Sequence, residues 1–191
     1  MNKNVLIIGL VILGIIGIGF MSLLGTYNKL QVMDEQVTAN WAQVENQLKR
    51  RSDLIPNLVN TVKGYAKHEN EVFTHIADAR SKLAGSINNG DVKAIQQSND
   101  ELNSALSRLL VVVENYPILK ADKSFIGLQD ELTGTENRIA VARRDYNESV
   151  KEINAIIRTF PTSLVASIAN IEKRDYFEVS ETEKTTPKVE F

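Results

Sequence analysis

The chain has 191 residues, enough for one domain of ordinary size around a single core. Its 22 basic and 24 acidic side chains leave a net charge of −2, too balanced for the chain as a whole to be drawn to nucleic acid. Cysteine is absent, which excludes disulfides, thiolate metal sites and cysteine nucleophiles, and the low aromatic content of 6% beside many unbranched side chains suits helices.

The first element runs from Val5 to Leu24. It carries no charge, and Ser22 is its one hydroxyl. At about 1.5 Å per residue, a helix of this length spans the roughly 30 Å hydrocarbon core of a bilayer. Gly9, Gly14, Gly17 and Gly19 would weaken a soluble helix but are common in lipid. A cleaved signal peptide would have a shorter apolar stretch and a small-residue cleavage site. A lipoprotein signal would need a cysteine where Thr26 stands. The segment therefore reads as a retained transmembrane anchor. Lys3 and Lys29 flank it almost symmetrically, so the positive-inside rule leaves the orientation open. No two of its glycines are four residues apart, so a GxxxG dimer face is missing.

With only Gly25 and Thr26 between, four amphipathic segments follow. Leu30, Met33, Val37, Trp41, Val44 and Leu48 mark the first, and Leu54, Leu58, Val62, Tyr65, Val72, Ile76, Ala79 and Leu83 the second, with one gap. Val92 to Val113 forms the third, and Phe125 to Ile157 the fourth. Pro56, close after Ser52 and Asp53, either sits in the first turn of a helix or kinks one long helix. Gly85-Ser86 and Asn88 to Asp91 read as a turn, with Asp91 capping the third helix. Tyr116-Pro117 ends that helix, and either Asp122 or Ser124 caps the fourth. Phe160-Pro161 closes the fourth and opens a short apolar helix through Leu164, Ile168 and Ile171, after which the sequence is polar and irregular.

The expected architecture is all-α. A short tail (1–4) and a transmembrane helix (5–25) lead into a long antiparallel, coiled-coil-like bundle of four-helix type with a short extra helix (26–174), then a polar C-terminal tail (175–191).

Arg50-Arg51-Ser52-Asp53-Leu54-Ile55-Pro56-Asn57, followed by Gly64-Tyr65-Ala66, resembles the signature of the bacterial LemA family. Trp41, Glu114-Asn115-Tyr116-Pro117, Glu136, Ala142-Arg143, Tyr146-Asn147, Asn154, Phe160-Pro161, Tyr176-Phe177 and the terminal Lys188 to Phe191 extend the resemblance along the whole chain. Such a resemblance implies one N-terminal transmembrane helix, a helical bundle on the cytoplasmic side of the bacterial plasma membrane, and no assigned catalytic residue. It also implies kinship with a magnetosome-associated branch linked to membrane biogenesis, and with proteins found beside membrane-stress and proteolysis systems.

The candidate metal ligands are His68, Glu71 and His75, whose offsets of three and four would share one helix face. The plainer reading is an exposed polar face, and this is not the HExxH spacing of metalloproteases. Arg50, Arg51 and Asp53 read either as a basic patch for headgroups or an acidic partner, or as charges matched to two helix ends. Arg143 to Asn147 read as salt-bridged surface around a core tyrosine, and Trp41 as a core anchor. No phosphate loop, dinucleotide fingerprint or nucleophile elbow occurs. The sequence thus points to a non-enzymatic scaffold that binds membrane lipid and its own copies, with no cofactor and no nucleic acid. The alternative is an adaptor subunit for another membrane protein in a stress or proteolysis system.

Overall fold

The computed structural model describes residues 3–178. Among them are six helices and no strand: α1 (Lys3–Tyr65), α2 (Asn70–Asn89), α3 (Val92–Glu114), α4 (Pro117–Lys120), α5 (Lys123–Ile156) and α6 (Thr162–Ile168). The all-α expectation holds. The chain divides into two compact units, one of residues 1–39 with 148–174 and one of residues 40–147 with 175–191.

In the second unit, α1 from residue 40, α2, α3 and the first part of α5 supply the bundle core. Val44, Leu48, Ile55, Leu58 and Val62 of α1, Ile76 and Leu83 of α2, Ile95, Leu102 and Leu109 of α3, and Phe125 of α5 are each at most 2% exposed. These are the positions that the 3.6-residue period selects. Asn40 of α1 donates to the Asp145 carbonyl, Arg51 pairs with Glu136, and Tyr65 donates to Asp122. Rising numbers on α1 thus meet falling numbers on α5, so the two helices are antiparallel here. Lys82 with Glu101 and Ser86 with Ser98 make the same statement for α2 and α3.

The ends of the helices have local causes. Gly90 takes a left-handed φ of 69° and its N–H meets the Ser86 and Ile87 carbonyls, which closes α2. Asp91 then caps α3, its carboxylate accepting from the Lys93 and Ala94 N–H groups. Asp122, not Ser124, caps α5: one of its oxygens accepts from the Ser124 and Phe125 N–H groups at 2.8 and 3.0 Å.

Three expectations need correction. The second amphipathic segment is two elements, because α1 ends at Tyr65 and α2 starts at Asn70. The gap in its apolar period, across Lys67, His68, Glu69 and Asn70, marks the place. Gly85-Ser86 is not a turn but helix, since α2 continues to Asn89. A single helical turn, α4, lies between α3 and α5 with Pro117 at its start, where the missing N–H costs nothing, and Leu119 buried.

The first unit holds the apolar part of α1. One helix beginning there is long and apolar enough to cross a membrane, with a mean hydropathy of 2.1 over its best window and none of that window buried. Every described side chain of the large apolar residues from Ile7 to Leu24 is exposed. Beyond it, Leu30, Val37, Val150, Ile153, Val165 and Ala166 are buried. Arg174 grips Asp34 through Nε and Nη2 at 3.2 and 2.7 Å, while Asn154 donates to the Arg174 carbonyl and accepts from its N–H. The amide of Asn154 thereby satisfies a backbone unit that has no helix or strand of its own.

Candidate functional site

The strongest polar constellation in the second unit centres on Arg51, which is only 6% exposed. Its guanidinium reaches three partners. Nη1 donates to Asn99 Oδ1 at 3.0 Å, Nη2 donates to Asn103 Oδ1, and Nε lies 3.2 Å from Glu136 Oε2. The planar fork of arginine suits this arrangement, which ties α1 to α3 and α5 at one level. Burial lowers the Arg51 pKa from its ordinary value and Glu136 opposes that shift. Arg50, next in sequence, is exposed and meets Glu131 at 3.0 Å.

One turn further on, Pro56 lies inside α1. Proline has no N–H, so the carbonyl four residues earlier, on Ser52, loses its helical donor. Arg80 of α2 fills the vacancy: its Nε donates to the Ser52 carbonyl at 2.8 Å, and its Nη2 stands 3.9 Å from Asp53. The helix-end reading of Arg50, Arg51 and Asp53 is corrected, because α1 runs on to Tyr65 and no helix ends here; Arg51 is buried in the bundle, whereas Arg50 and Asp53 are exposed.

Beside Arg51 opens a groove of about 370 Å³. Leu58, Leu106, Leu110 and Leu132 form its apolar wall, and Asn103, Gln129, Thr133 and Glu136 contribute polar groups. It holds no paired acid and base, and Arg51 and Glu136 at its edge already satisfy each other.

At Asn147 the chain uses the same device as at Asn154. The Asn147 amide donates to the Phe177 carbonyl and accepts from the Phe177 N–H, at 2.8 and 2.9 Å. Tyr146, buried, donates its hydroxyl to the Asp175 carbonyl at 2.8 Å. Phe177, 1% exposed, joins an aromatic cluster in which Trp41 lies 5.0 Å from Tyr146 and 6.1 Å from Phe177, with Arg143 over the Phe177 ring. The stretch read as the start of a polar tail is thus packed chain at 175–178, and the remainder of that tail lies outside the described residues.

The candidate metal ligands do not share a helix face. His68 falls in the turn between α1 and α2, while Glu71 and His75 stand on α2 as an exposed pair 3.6 Å apart. Among the described residues no group of three or more His, Asp or Glu side chains could hold a metal ion.

The LemA family profile matches residues 40–191. The chain belongs to the LemA family. The match leaves out residues 1–39, which include the apolar stretch. Curated relatives include the magnetosome proteins MamQ 1 and MamQ 2 of Paramagnetospirillum magneticum, each 29% identical over 82% of this chain and 66% of the relative. A protein LemA of Metamycoplasma hominis is 27% identical over 88% of this chain and 76% of its own length. The chain thus spans just under two thirds of the MamQ proteins it matches. It is a membrane-associated LemA protein.

The positions that carried the LemA resemblance now have individual surroundings. Arg51, Glu136, Tyr65, Tyr146 and Asn147 make ties between elements, and Pro56 creates the need for one. Tyr116 and Pro117 start α4, and Glu114 is the last residue of α3. Asn57 is exposed, its carbonyl accepting from Thr61. Reading the sequence alone missed Arg80, Asn99 and Asn103. The polar residues in the buried register of α3 were the available signal, since Asn99 recurs four residues before Asn103 and three before Leu102.

Proposed function

We propose that this LemA protein is a non-enzymatic scaffold of the bacterial plasma membrane, self-associating side by side. The observation that carries the proposal is the continuity of α1. One helix runs from the lipid-suited stretch into the residues that form the bundle core, with no linker between. Arg51, Asn99, Asn103 and Arg80 spend their hydrogen bonds on ties between helices, which supports a scaffold. The relatives named as magnetosome proteins agree with a role in membrane organisation.

Native mass spectrometry of the full-length protein in mild detergent tests it. A ladder or discrete set of homo-oligomers is expected. A strictly monomeric chain that co-purifies with a different membrane protein would replace the scaffold with the adaptor reading.

A further inference from the structure

The helix α6 belongs to the unit that contains the apolar stretch, and its surface is anomalous for a helix facing water. Thr162, Val165 and Ala166 are buried, while on its outer side Leu164 is 58% and Ile168 81% exposed, and Phe160 just before it 82%. The whole helix, Thr-Ser-Leu-Val-Ala-Ser-Ile, carries no charge. An exposed face normally holds charged side chains; here Phe160, Leu164 and Ile168 are accompanied only by the hydroxyls of Ser163 and Ser167, the composition of a contact surface and not of a solvated one.

The composition around it points to what this surface contacts. From Ile153 to Ile171 the single charge is Arg158, and from Val5 to Met33 it is Lys29; no carboxylate occurs in either stretch. Carboxylates resume only at Asp34 on one side, and at Glu152 and Glu172 on the other. Two segments of one compact unit thus share an acid-free, weakly cationic composition, which suits the headgroup layer of an anionic membrane. Distance agrees. The described side chains up to Leu24 are exposed, whereas Leu30 is fully buried and Asp34 binds Arg174, so the remainder of the unit packs on α1 just past the apolar stretch. Six residues from Leu24 to Leu30 rise about 9 Å, comparable with the roughly 5–8 Å that the headgroup region adds on each side of the hydrocarbon.

We propose that α6 is a second membrane contact: Phe160, Leu164 and Ile168 lie in the boundary between headgroups and acyl chains, beside the transmembrane stretch. Helices that bind in this way sink their apolar face about 5–10 Å into that boundary. The inference rests on membrane association alone and is independent of whether copies assemble.

The absence of cysteine makes the test direct. Full-length Leu164→Cys, Ile168→Cys and, as a water-facing control, Val111→Cys on α3 are spin-labelled and reconstituted in vesicles of phosphatidylcholine and phosphatidylglycerol. Collisions with oxygen, which dissolves in acyl chains, are compared with those of a water-soluble nickel chelate. The oxygen-to-nickel ratio is expected to be several-fold higher at 164 and 168 than at 111. A ratio equal to the control overturns the proposal. So does exclusion of both reagents with spin–spin broadening that disappears on dilution with unlabelled protein, which would put a second copy on this face. Failure of the protein to float with the vesicles removes the anchor itself, an outcome separable from the other two.

Discussion

Two stretches of one helix solve the problem of hydrogen bonding and burial in opposite ways. From Ile7 to Leu24, α1 exposes every described large apolar side chain and carries no charge. At its edge the hydroxyl of Thr26 donates back to the Ser22 carbonyl, so even that group is satisfied within the helix. From residue 40 to Tyr65 the same helix buries Val44, Leu48, Ile55, Leu58 and Val62, yet also accommodates a buried arginine and an interior proline. The difference is the surroundings. Lipid offers no partner for a polar group, so the first stretch contains almost none. The second stretch has α2, α3 and α5 beside it, and they supply Arg80, Asn99, Asn103 and Glu136 where the backbone and Arg51 need them.

Perturbing each stretch should therefore fail in a different assay. The largest effect is expected at Arg51. Arg51→Ala leaves the oxygens of buried Asn99 and part-buried Asn103 without their donor, at a cost of about 1–3 kcal/mol each in denaturant titration, while half-exposed Glu136 is rehydrated. Arg51→Lys should fall between, because an ammonium cannot serve three partners in a plane. A loss below about 1 kcal/mol for Arg51→Ala, the size of a surface pair, would mean that the network is dispensable. In the apolar stretch, Ile15→Arg should weaken insertion by about 2.5–3.5 kcal/mol, read as protein left behind in vesicle flotation. The denaturant midpoint of the bundle should not move with it.

A smaller effect separates the proline from its rescuer. Arg80→Ala should cost about 1–3 kcal/mol by stranding the Ser52 carbonyl. In a Pro56→Ala background the restored N–H meets that carbonyl, so the same substitution should cost distinctly less. A double-mutant cycle reads the coupling directly, and additive losses would refute the assignment.

The smallest effect is at Asp122, whose carboxyl is held below the ordinary range first by the Phe125 N–H and then by the Tyr65 hydroxyl. Its folded pKa lies below the unfolded value of about 3.9. Its contribution is therefore complete above that value and disappears as pH falls through the folded pKa. Asp122→Asn should make the loss of thermal stability between about pH 5 and pH 3 shallower. An unchanged slope would count against the cap.

The sequence by itself determined the helical class, the lipid-suited stretch, the face that each helix buries, and the turn at Gly90 with its Asp91 cap. These depend on composition, on a 3.6-residue period and on hydrogen bonds spanning two or three residues, all local quantities. It also named Arg51, Tyr146 and Asn147 as distinctive, but not what they touch. Only the tertiary structure decided that Pro56 is carried through a helix, because its compensating donor, Arg80, arrives from another helix 24 residues along the chain. Likewise, Phe177 looks like part of a polar tail until Asn147, 30 residues earlier, supplies the hydrogen bonds that its backbone lacks. In both cases the local penalty is visible in the sequence, whereas its relief depends on distant residues brought together by the fold, and periodicity carries no information about them.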